Sequence, residues 1–296
     1  MNSKQRSPET TSWIILIVLA LMWGSSFILI KKGLIAFDPG AVGALRIAFA
    51  SLFLVIPASR KFKYIKRKKI FLLLTVGFFG SLIPAFLFAK AQTQLDSAVA
   101  GILNVITPLW VIIISITLFS QRISIRVFIG MLLGFSGTVW LLLAGTEGEV
   151  IFNYYALFVI AATICYGVNL NIIKYKLAGL DAVTITGVSL SMVGPLAILF
   201  LFTGTDFMHA MENHPDAWYS LGALAILGIM GTAIALILFN KLVQITTPVF
   251  ASSVTYLIPI VAVVWGLVDG EVLTAGRFAG MVLILIGVYV ANRKRS

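Results

Sequence analysis

Long apolar stretches without charged residues follow one another along almost the whole chain, separated by short polar segments. Each stretch has about 20 residues, the length that a helix rising 1.5 Å per residue needs to cross the hydrocarbon core of a bilayer. We therefore predict an all-α integral membrane protein. Its ten transmembrane helices are expected over residues 13–30, 40–57, 70–89, 98–119, 127–144, 154–173, 182–203, 219–239, 249–267 and 277–291.

The composition agrees with a chain whose solvent is lipid. Of its 296 residues, 60% are hydrophobic and 11% are charged, and the mean hydropathy is +1.04. That is more apolar surface than one soluble core could bury. The connections between the predicted helices are too short for a soluble catalytic or nucleotide-binding module. One membrane domain is expected to cover residues 1–296.

The net charge of +11 would suggest nucleic-acid binding in a soluble protein, but here its distribution matters more. With the N-terminus placed inside, 17 of the 22 Lys and Arg residues fall in inner segments, the densest being residues 60–69. Cytoplasmic loops of membrane proteins carry this excess of basic residues. We therefore predict a multi-pass protein of the cell inner membrane, with both termini cytoplasmic and no nucleic-acid partner.

The chain contains an internal repeat. Residues 13–144 align with residues 154–291 at shifts of 143 to 151 positions, and each half has five predicted helices. Because five is odd, equivalent helices must cross the membrane in opposite directions, which makes the halves inverted repeats. The aligned pairs include Trp23 with Tyr166, Lys31 with Lys174, Gly80 with Gly231, Pro108 with Pro259, and Gly137 with Gly287.

Four segments resemble a known family. They are WGSSF in the first helix, ALRIAFA in the second, SAVAGILNVITPLW leading into the fourth, and YLIPIVAVVWGLVDGE through the ninth. Together they resemble the drug/metabolite transporter superfamily, EamA type. The resemblance implies a basket of ten helices around a central cavity. It also implies export or exchange of amino acids, related metabolites or drug-like molecules.

Polar and aromatic residues deep within the predicted helices are candidates for substrate binding. An unpaired polar group at that depth costs several kcal/mol, so amides there should face the bundle interior, as cargo contacts or as bonds between helices. Aromatic faces can bracket an amphipathic molecule, although ordinary core packing is the alternative. The candidates are Trp23, Ser26, Asn104, Tyr166, Asn169 and Tyr256.

Arg46 is a further candidate, because it lies about two turns inside the second predicted helix. An arginine at the bilayer centre costs about 2.5–3.5 kcal/mol on insertion scales, so something must offset that cost. The side chain can extend to the interface or bind carbonyls at a helix end. The alternative is that Arg46 attracts a carboxylate or phosphate on the cargo.

Two other sets of residues bear on movement and assembly. Pro108 and Pro259 are equivalent in the repeat and each removes a backbone donor within an apolar helix, so we expect paired bends that serve as hinges. Gly130 with Gly134 and Gly276 with Gly280 are separated by three residues, a spacing typical of helix packing. These glycines would join either the two halves or two protomers of a homodimer.

The remaining residues indicate neither a metal site nor a cofactor. Cys165 is the only cysteine, which excludes a disulfide within the chain and a thiolate metal site. An intramembrane enzyme would need a nucleophile with a partner base, and none is visible. The inverted repeat predicts a secondary transporter that works by alternating access across the lipid bilayer. The resemblance implies that its cargo is a small metabolite, an amino acid or a related amphipathic compound, moved by export or exchange. A non-transporting assembly or receptor protein is the alternative reading.

A first prediction concerns proton coupling, since no Asp or Glu lies in the middle of a predicted helix. Proton-coupled carriers place a titratable group at that depth. We expect the initial rate of transport by vesicles containing the purified protein to change little when a pH gradient is imposed. A rate that depends on the gradient would contradict this prediction.

Overall fold

The structure, a computed structural model, describes residues 8–62, 65–95, 97–143, 154–268 and 274–292. Every regular element in these ranges is a helix. In chain order the helices are α1 Pro8–Gly33, α2 Pro39–Phe62, α3 Arg67–Ala91, α4 Ser97–Leu103, α5 Thr107–Phe119, α6 Ile125–Leu143, α7 Ala156–Lys176, α8 Ala182–Thr203, α9 Phe207–Asn213, α10 Ala217–Ile245, α11 Pro248–Ser252, α12 Val254–Val268 and α13 Ala275–Asn292.

Eight helical segments in the described part of the chain are long and apolar enough to cross a membrane. They are α1, α2, α3, the α4–α5 pair from Val99, α7, α8, α10 and α13. The apolar parts of α6 and of the α11–α12 pair, Ile125–Leu141 and Pro248–Val261, are shorter. Helices thus occur in all ten predicted segments, and the bounds of α8, Ala182–Thr203, agree at both ends. The short helix α9 was not predicted.

Four irregular turns interrupt these helices, two in each half, and the two π-helices occupy equivalent positions. The helix α3 widens into a π-helix at Phe78–Leu82, and α10 does so at Ile229–Ile234. A 3₁₀ turn at Asn104–Ile106 separates α4 from α5, and a turn at Ser253 separates α11 from α12. Such irregular backbone is tolerated at membrane depth where it is buried in protein or lines a cavity.

The 3₁₀ turn and the turn at Ser253 each precede a proline by less than two turns. Pro108 lies in the first turn of α5, directly after the 3₁₀ segment, and Pro259 lies inside α12. Proline lacks an N–H and crowds the carbonyl four residues before it, so it weakens the preceding turn. The 3₁₀ segment thus lies directly before Pro108, whereas the turn at Ser253 lies six residues before Pro259, which is inside α12. Paired bends at the two prolines that serve as hinges stay a prediction.

Helices of the first half pack mainly against helices of the second. The helix α1 contacts α10 and α12, and the equivalent α7 contacts α3 and α5. The helix α2 packs against its equivalent α8, and α6 against its equivalent α13. The same contacts thus occur twice, with the roles of the halves exchanged.

Glycines allow α6 and α13 to approach at backbone distance. A Cβ on Gly137 would lie 2.7 Å from the Ile284 nitrogen, and one on Gly280 would lie 2.8 Å from the Leu141 nitrogen. A Cβ on Gly287 would overlap the Gly134 nitrogen. These glycines therefore join the two halves within one chain.

Most of the described basic residues lie at one end of the bundle, which we call the basic end. It comprises the ends of α2, α5, α7, α10 and α13 and the starts of α1, α3, α6 and α8. There Lys61 lies 3.7 Å from Asp181, and the Lys174 ammonium donates to the Val243, Gln244 and Thr246 carbonyls at the end of α10. Asp181 caps α8. Burial raises the pKa of this carboxyl, but hydrogen bonds from Thr184 and the charge of Lys61 outweigh that effect, so the pKa is lowered overall.

A second prediction concerns the seam between α6 and α13. We expect Gly287→Ala to lower the stability by about 1–3 kcal/mol, because the new methyl group meets backbone atoms that cannot move aside. The measurement is the thermal unfolding midpoint of the purified protein in detergent.

Gly222→Ala is the matched control, since a Cβ at this helical position has nothing within 4 Å. There the alanine should leave stability unchanged or raise it by about 0.5–1 kcal/mol. Equal midpoints for the two variants would show that the seam does not depend on glycine.

Candidate functional site

A cavity lies in the middle of the bundle, where the irregular turns meet. Its volume is about 80 Å³, several times the ~10–15 Å³ that one ordered water requires. We call it the central cavity. Its walls come from both halves, and its lining includes six of the seven residues proposed from the sequence for substrate binding: Trp23, Ser26, Arg46, Asn104, Tyr166 and Asn169.

The two π-helices each present a glycine beneath a polar side chain. A Cβ on Gly231 would lie 2.7 Å from the Ser26 hydroxyl oxygen. A Cβ on Gly80 would lie 2.7 Å from Asn169 Nδ2. Because Ser26 aligns with Asn169 and Gly80 with Gly231, the same arrangement is built twice, with different polar groups. These glycines leave room for polar side chains at the cavity wall.

Trp23 ties α1 to the second π-helix. Its indole Nε1 donates to the Gly231 carbonyl over 3.0 Å. Its ring contacts Phe239 edge to face, with centroids 4.9 Å apart. The hydrogen bond fixes the orientation of the ring against the cavity, and the partly buried indole has its polar atom satisfied.

Aromatic rings form much of the remaining apolar wall. Phe88 of α3 stacks on Tyr166 of α7, with ring centroids 6.2 Å apart and an angle of 25° between the planes. Phe88 also meets Phe27 of α1 at 6.0 Å. The wall therefore offers flat apolar faces to a molecule in the cavity.

Arg46 is the sole charged side chain among the described residues that line the central cavity. Its Nε donates to the Thr232 hydroxyl in the second π-helix over 2.7 Å. A guanidinium has five N–H donors in a planar fork that matches a carboxylate. Thr232 engages one of them and orients the fork, so the group is suited to receive an anion.

Two asparagines supply neutral polar groups. The side-chain Oδ1 of Asn104 accepts a hydrogen bond from the Thr107 hydroxyl over 3.1 Å. Asn169 is 3% exposed, and its Oδ1 atom has no hydrogen-bond partner among the described residues. The Asn169 amide therefore adds to the cavity wall a neutral polar group whose oxygen has no partner among the described residues.

Tyr256 does not line the cavity, in contrast to our expectation from the sequence. It is fully buried, its hydroxyl donates to the Met131 carbonyl of α6 over 3.1 Å, and its ring covers Gly134. The neighbouring Thr255 faces the cavity instead. Successive helix residues differ in direction by about 100°. Tyr256 therefore lies at the depth of the cavity, but on a face of α12 that points away from it.

Other intramembrane amides hold helices together. Asn171 donates to the Val111 and Gly167 carbonyls and accepts from the Ser115 hydroxyl, which joins α7 to α5. Asn240 donates to the Thr186 hydroxyl and joins α10 to α8. This is the role of interhelical bonds that the sequence left open for such amides.

Several hydroxyl side chains that line the cavity were not predicted from the sequence. Short hydroxyl side chains are common in membrane helices and often bond the preceding turn, so their type alone does not mark a site. For two of them a signal existed, because Ser81 and Thr232 each directly follow a repeated glycine. The cavity residues missed are Ser81, Thr107, Thr232, Ser252 and Thr255.

Comparison with known proteins identifies both halves. The profile of the EamA-like transporter family matches residues 11–143 and, a second time, residues 153–293. The duplication found in the sequence thus corresponds to two copies of one family domain.

The chain is similar over more than nine-tenths of its length to curated proteins and to a solved structure. An uncharacterized transporter of Archaeoglobus fulgidus is 26% identical over 96% of this chain and 99% of its own length. A probable amino-acid metabolite efflux pump of Salmonella typhimurium is 22% identical over 93% of this chain and 92% of its own length. A crystal structure superposes with a TM-score of 0.72 at 19% identity over 96% of both chains, which shows a shared fold.

A third prediction tests the placement of Tyr256. Tyr256→Phe removes the hydrogen bond to the Met131 carbonyl and should destabilise the protein by about 0.5–1.5 kcal/mol, as a lower thermal midpoint. Tyr289→Phe is the control, because Tyr289 is 56% exposed on the outer surface of α13. The same midpoint for both variants would contradict the structural role of the Tyr256 hydroxyl.

Proposed function

Because the chain belongs to the EamA-like transporter family, we propose that it is a secondary transporter of small amphipathic metabolites across the inner membrane. Amino acids and related compounds are the proposed cargo, moved by export or exchange. The observation that carries this proposal is the central cavity, where Arg46 and Asn169 line one space together with aromatic rings.

The proposed architecture has ten spans in two inverted halves. Eight segments have the length and apolarity to span, and α6 and the α11–α12 pair supply the fifth and ninth crossings. The repeated pairing of α1 with α10 and α12, and of α7 with α3 and α5, supports an approximate two-fold relation between halves. Since each half has five crossings, the axis lies in the membrane plane.

Alternating access follows from this symmetry. Two inverted halves can pack in two nearly equivalent ways, each opening a central site to one side. The breaks before Pro108 and Pro259 and the π-helices at Gly80 and Gly231 provide places where helices can bend. We propose that these four points move while the walls of the central cavity stay together.

The cavity chemistry supports a cargo with a carboxylate and a hydrogen-bond donor. The Arg46 guanidinium pairs with the carboxylate, and the Asn169 oxygen accepts from an ammonium or hydroxyl group. The apolar part of the cargo lies against Trp23 and the stacked Phe88 and Tyr166 rings. The name of the Salmonella typhimurium relative, a probable amino-acid metabolite efflux pump, supports the same class.

The basic end is proposed to face the cytoplasm. The described basic residues concentrate there, which is the arrangement that membrane insertion favours. Both chain ends then lie inside, since α1 begins and α13 ends at the basic end. The driving force in this proposal is the gradient of the cargo or of an exchanged molecule.

The experiment that tests the function is counterflow. Purified protein is placed in liposomes loaded with unlabelled amino acids, one at a time, and the uptake of the same labelled compound is compared with protein-free vesicles. Accumulation of selected amino acids above the control supports a carrier. An equal signal in both kinds of vesicle, for every compound, would contradict the proposal.

A fourth prediction concerns Arg46. We expect Arg46→Gln to reduce the apparent affinity for carboxylate cargo by at least tenfold, because a charge-assisted pair is lost in a buried setting. The affinity for a neutral amide analogue of the same cargo should change by less than about twofold. An equal loss for the charged and neutral compounds would show that Arg46 acts through packing alone.

A further inference from the structure

A second cavity opens at the basic end of the bundle. Its volume is about 520 Å³, within the usual range of small-molecule sites. We call it the basic-end cavity. Its walls include Trp13 and Ser12 at the start of α1, Tyr175 at the end of α7, and Asn292 at the end of α13. Arg122 is the one charged side chain among its described lining residues.

The backbone after α5 turns the segment that contains Arg122 toward this cavity. Ser120 has a φ of 52°, the left-handed conformation that ends many helices. The Gln121 amide then donates to the Ser115 carbonyl over 2.9 Å. This tight end directs Gln121 and Arg122 back along the cavity wall, away from the continuation of the helix axis.

The aromatic part of the wall is also ordered by contacts. Trp13 meets Phe250 of α11 edge to face, with ring centroids 5.2 Å apart. Tyr175 lies on the same cavity, and its ring packs against Phe119 of α5 with centroids 5.2 Å apart. The basic-end cavity thus combines one guanidinium with aromatic faces, hydroxyls and amides.

The helix α11 separates the two cavities. Its residues Val249 and Phe250 line the basic-end cavity, while Ser252, at its other end, lines the central cavity. On α5, Thr107 lines the central cavity and Ser115 the basic-end cavity. Eight residues of helix span about 12 Å, so the cavities lie in sequence along the bundle axis.

Both cavities offer the same recognition chemistry. In each, a single arginine stands among aromatic rings and neutral polar groups, and no Asp or Glu occurs among the described lining residues. A molecule that suits Arg46 and Trp23 would also suit Arg122 and Trp13. A dicationic or strongly basic molecule would suit neither.

We propose that the basic-end cavity is a second binding site for small monocarboxylates with an apolar body, with Arg122 pairing with the carboxylate. The cargo would occupy this site before α11 moves and admits it to the central cavity. The identification of the ligand with the cargo rests on the proposed transport function, whereas binding itself does not.

Tryptophan fluorescence tests binding directly. The probe is phenylacetate, and its neutral isostere phenylacetamide is the comparison. The protein is held in phosphatidylcholine nanodiscs, so that no anionic lipid headgroup competes for Arg122. We expect phenylacetate to quench a component of the emission that is absent in Trp13→Phe. Arg122→Gln should weaken this quenching about fivefold to tenfold and leave the response to phenylacetamide unchanged.

Two variants separate this site from other basic positions. Arg126→Gln removes the same charge four residues further along the chain, at a residue outside the cavity wall, and should bind phenylacetate like the unmodified protein. Arg46→Gln should keep the Trp13 component, because it alters the other cavity. No Trp13 component, or equal weakening in Arg122→Gln and Arg126→Gln, would overturn the proposal.

Transport kinetics distinguish failure of this site from failure of the proposed function. In vesicles of defined orientation, Arg122→Gln should raise the KM for phenylacetate presented at the basic end severalfold and leave the KM at the opposite face unchanged. Equal KM changes at both faces would contradict the second site. Arg122-dependent quenching by phenylacetate, together with no counterflow of any amino acid, would contradict the proposed function and support the site.

Discussion

Inside a bilayer every backbone N–H and C=O must find a partner within the protein, because lipid tails offer none. This constraint explains why every regular element in the described chain is a helix and why the irregular turns within those helices are informative. The two π-helices and the two helix breaks all border the central cavity, where polar side chains can reach the altered backbone. The bond from the Trp23 indole to the Gly231 carbonyl is one such contact. Irregular backbone therefore marks the region in which we propose that binding and bending are combined.

The duplicated halves give the cavity a nearly symmetric frame with asymmetric chemistry. Ser26 over Gly231 corresponds to Asn169 over Gly80, so the frame repeats while the polar group differs. Arg46 is the eighth residue of α2, and the eighth residue of α8 is Ser189, which bonds its own helix. The positive charge is thus supplied by one half only. In the proposed mechanism, the symmetric frame moves between two equivalent packings, and the single charge makes the cavity bind a polar molecule in one orientation.

Helix positions could be predicted closely from the sequence, because the length of an apolar stretch is set by bilayer thickness. The depth of a residue was predictable for the same reason, and six of the seven proposed substrate-binding residues line the cavity. The direction of a side chain was harder to predict, because the apolar stretches are hydrophobic on all sides and do not show which face of the helix points toward the cavity. Tyr256 was therefore placed at the cavity although it packs on Gly134. The π-helices and the basic-end cavity depend on tertiary packing, so no local sequence pattern predicted them.

The central claim is that one cavity, around Ser26 and Asn169, becomes accessible alternately from the two sides of the membrane. Ser26→Cys in a Cys165→Ser background places a single thiol there, and a membrane-impermeant maleimide can be applied to vesicles of either orientation. The account predicts labelling from both sides, slowed in each case by cargo. Labelling from one side only, with the other side inaccessible under all cargo conditions, would contradict alternating access.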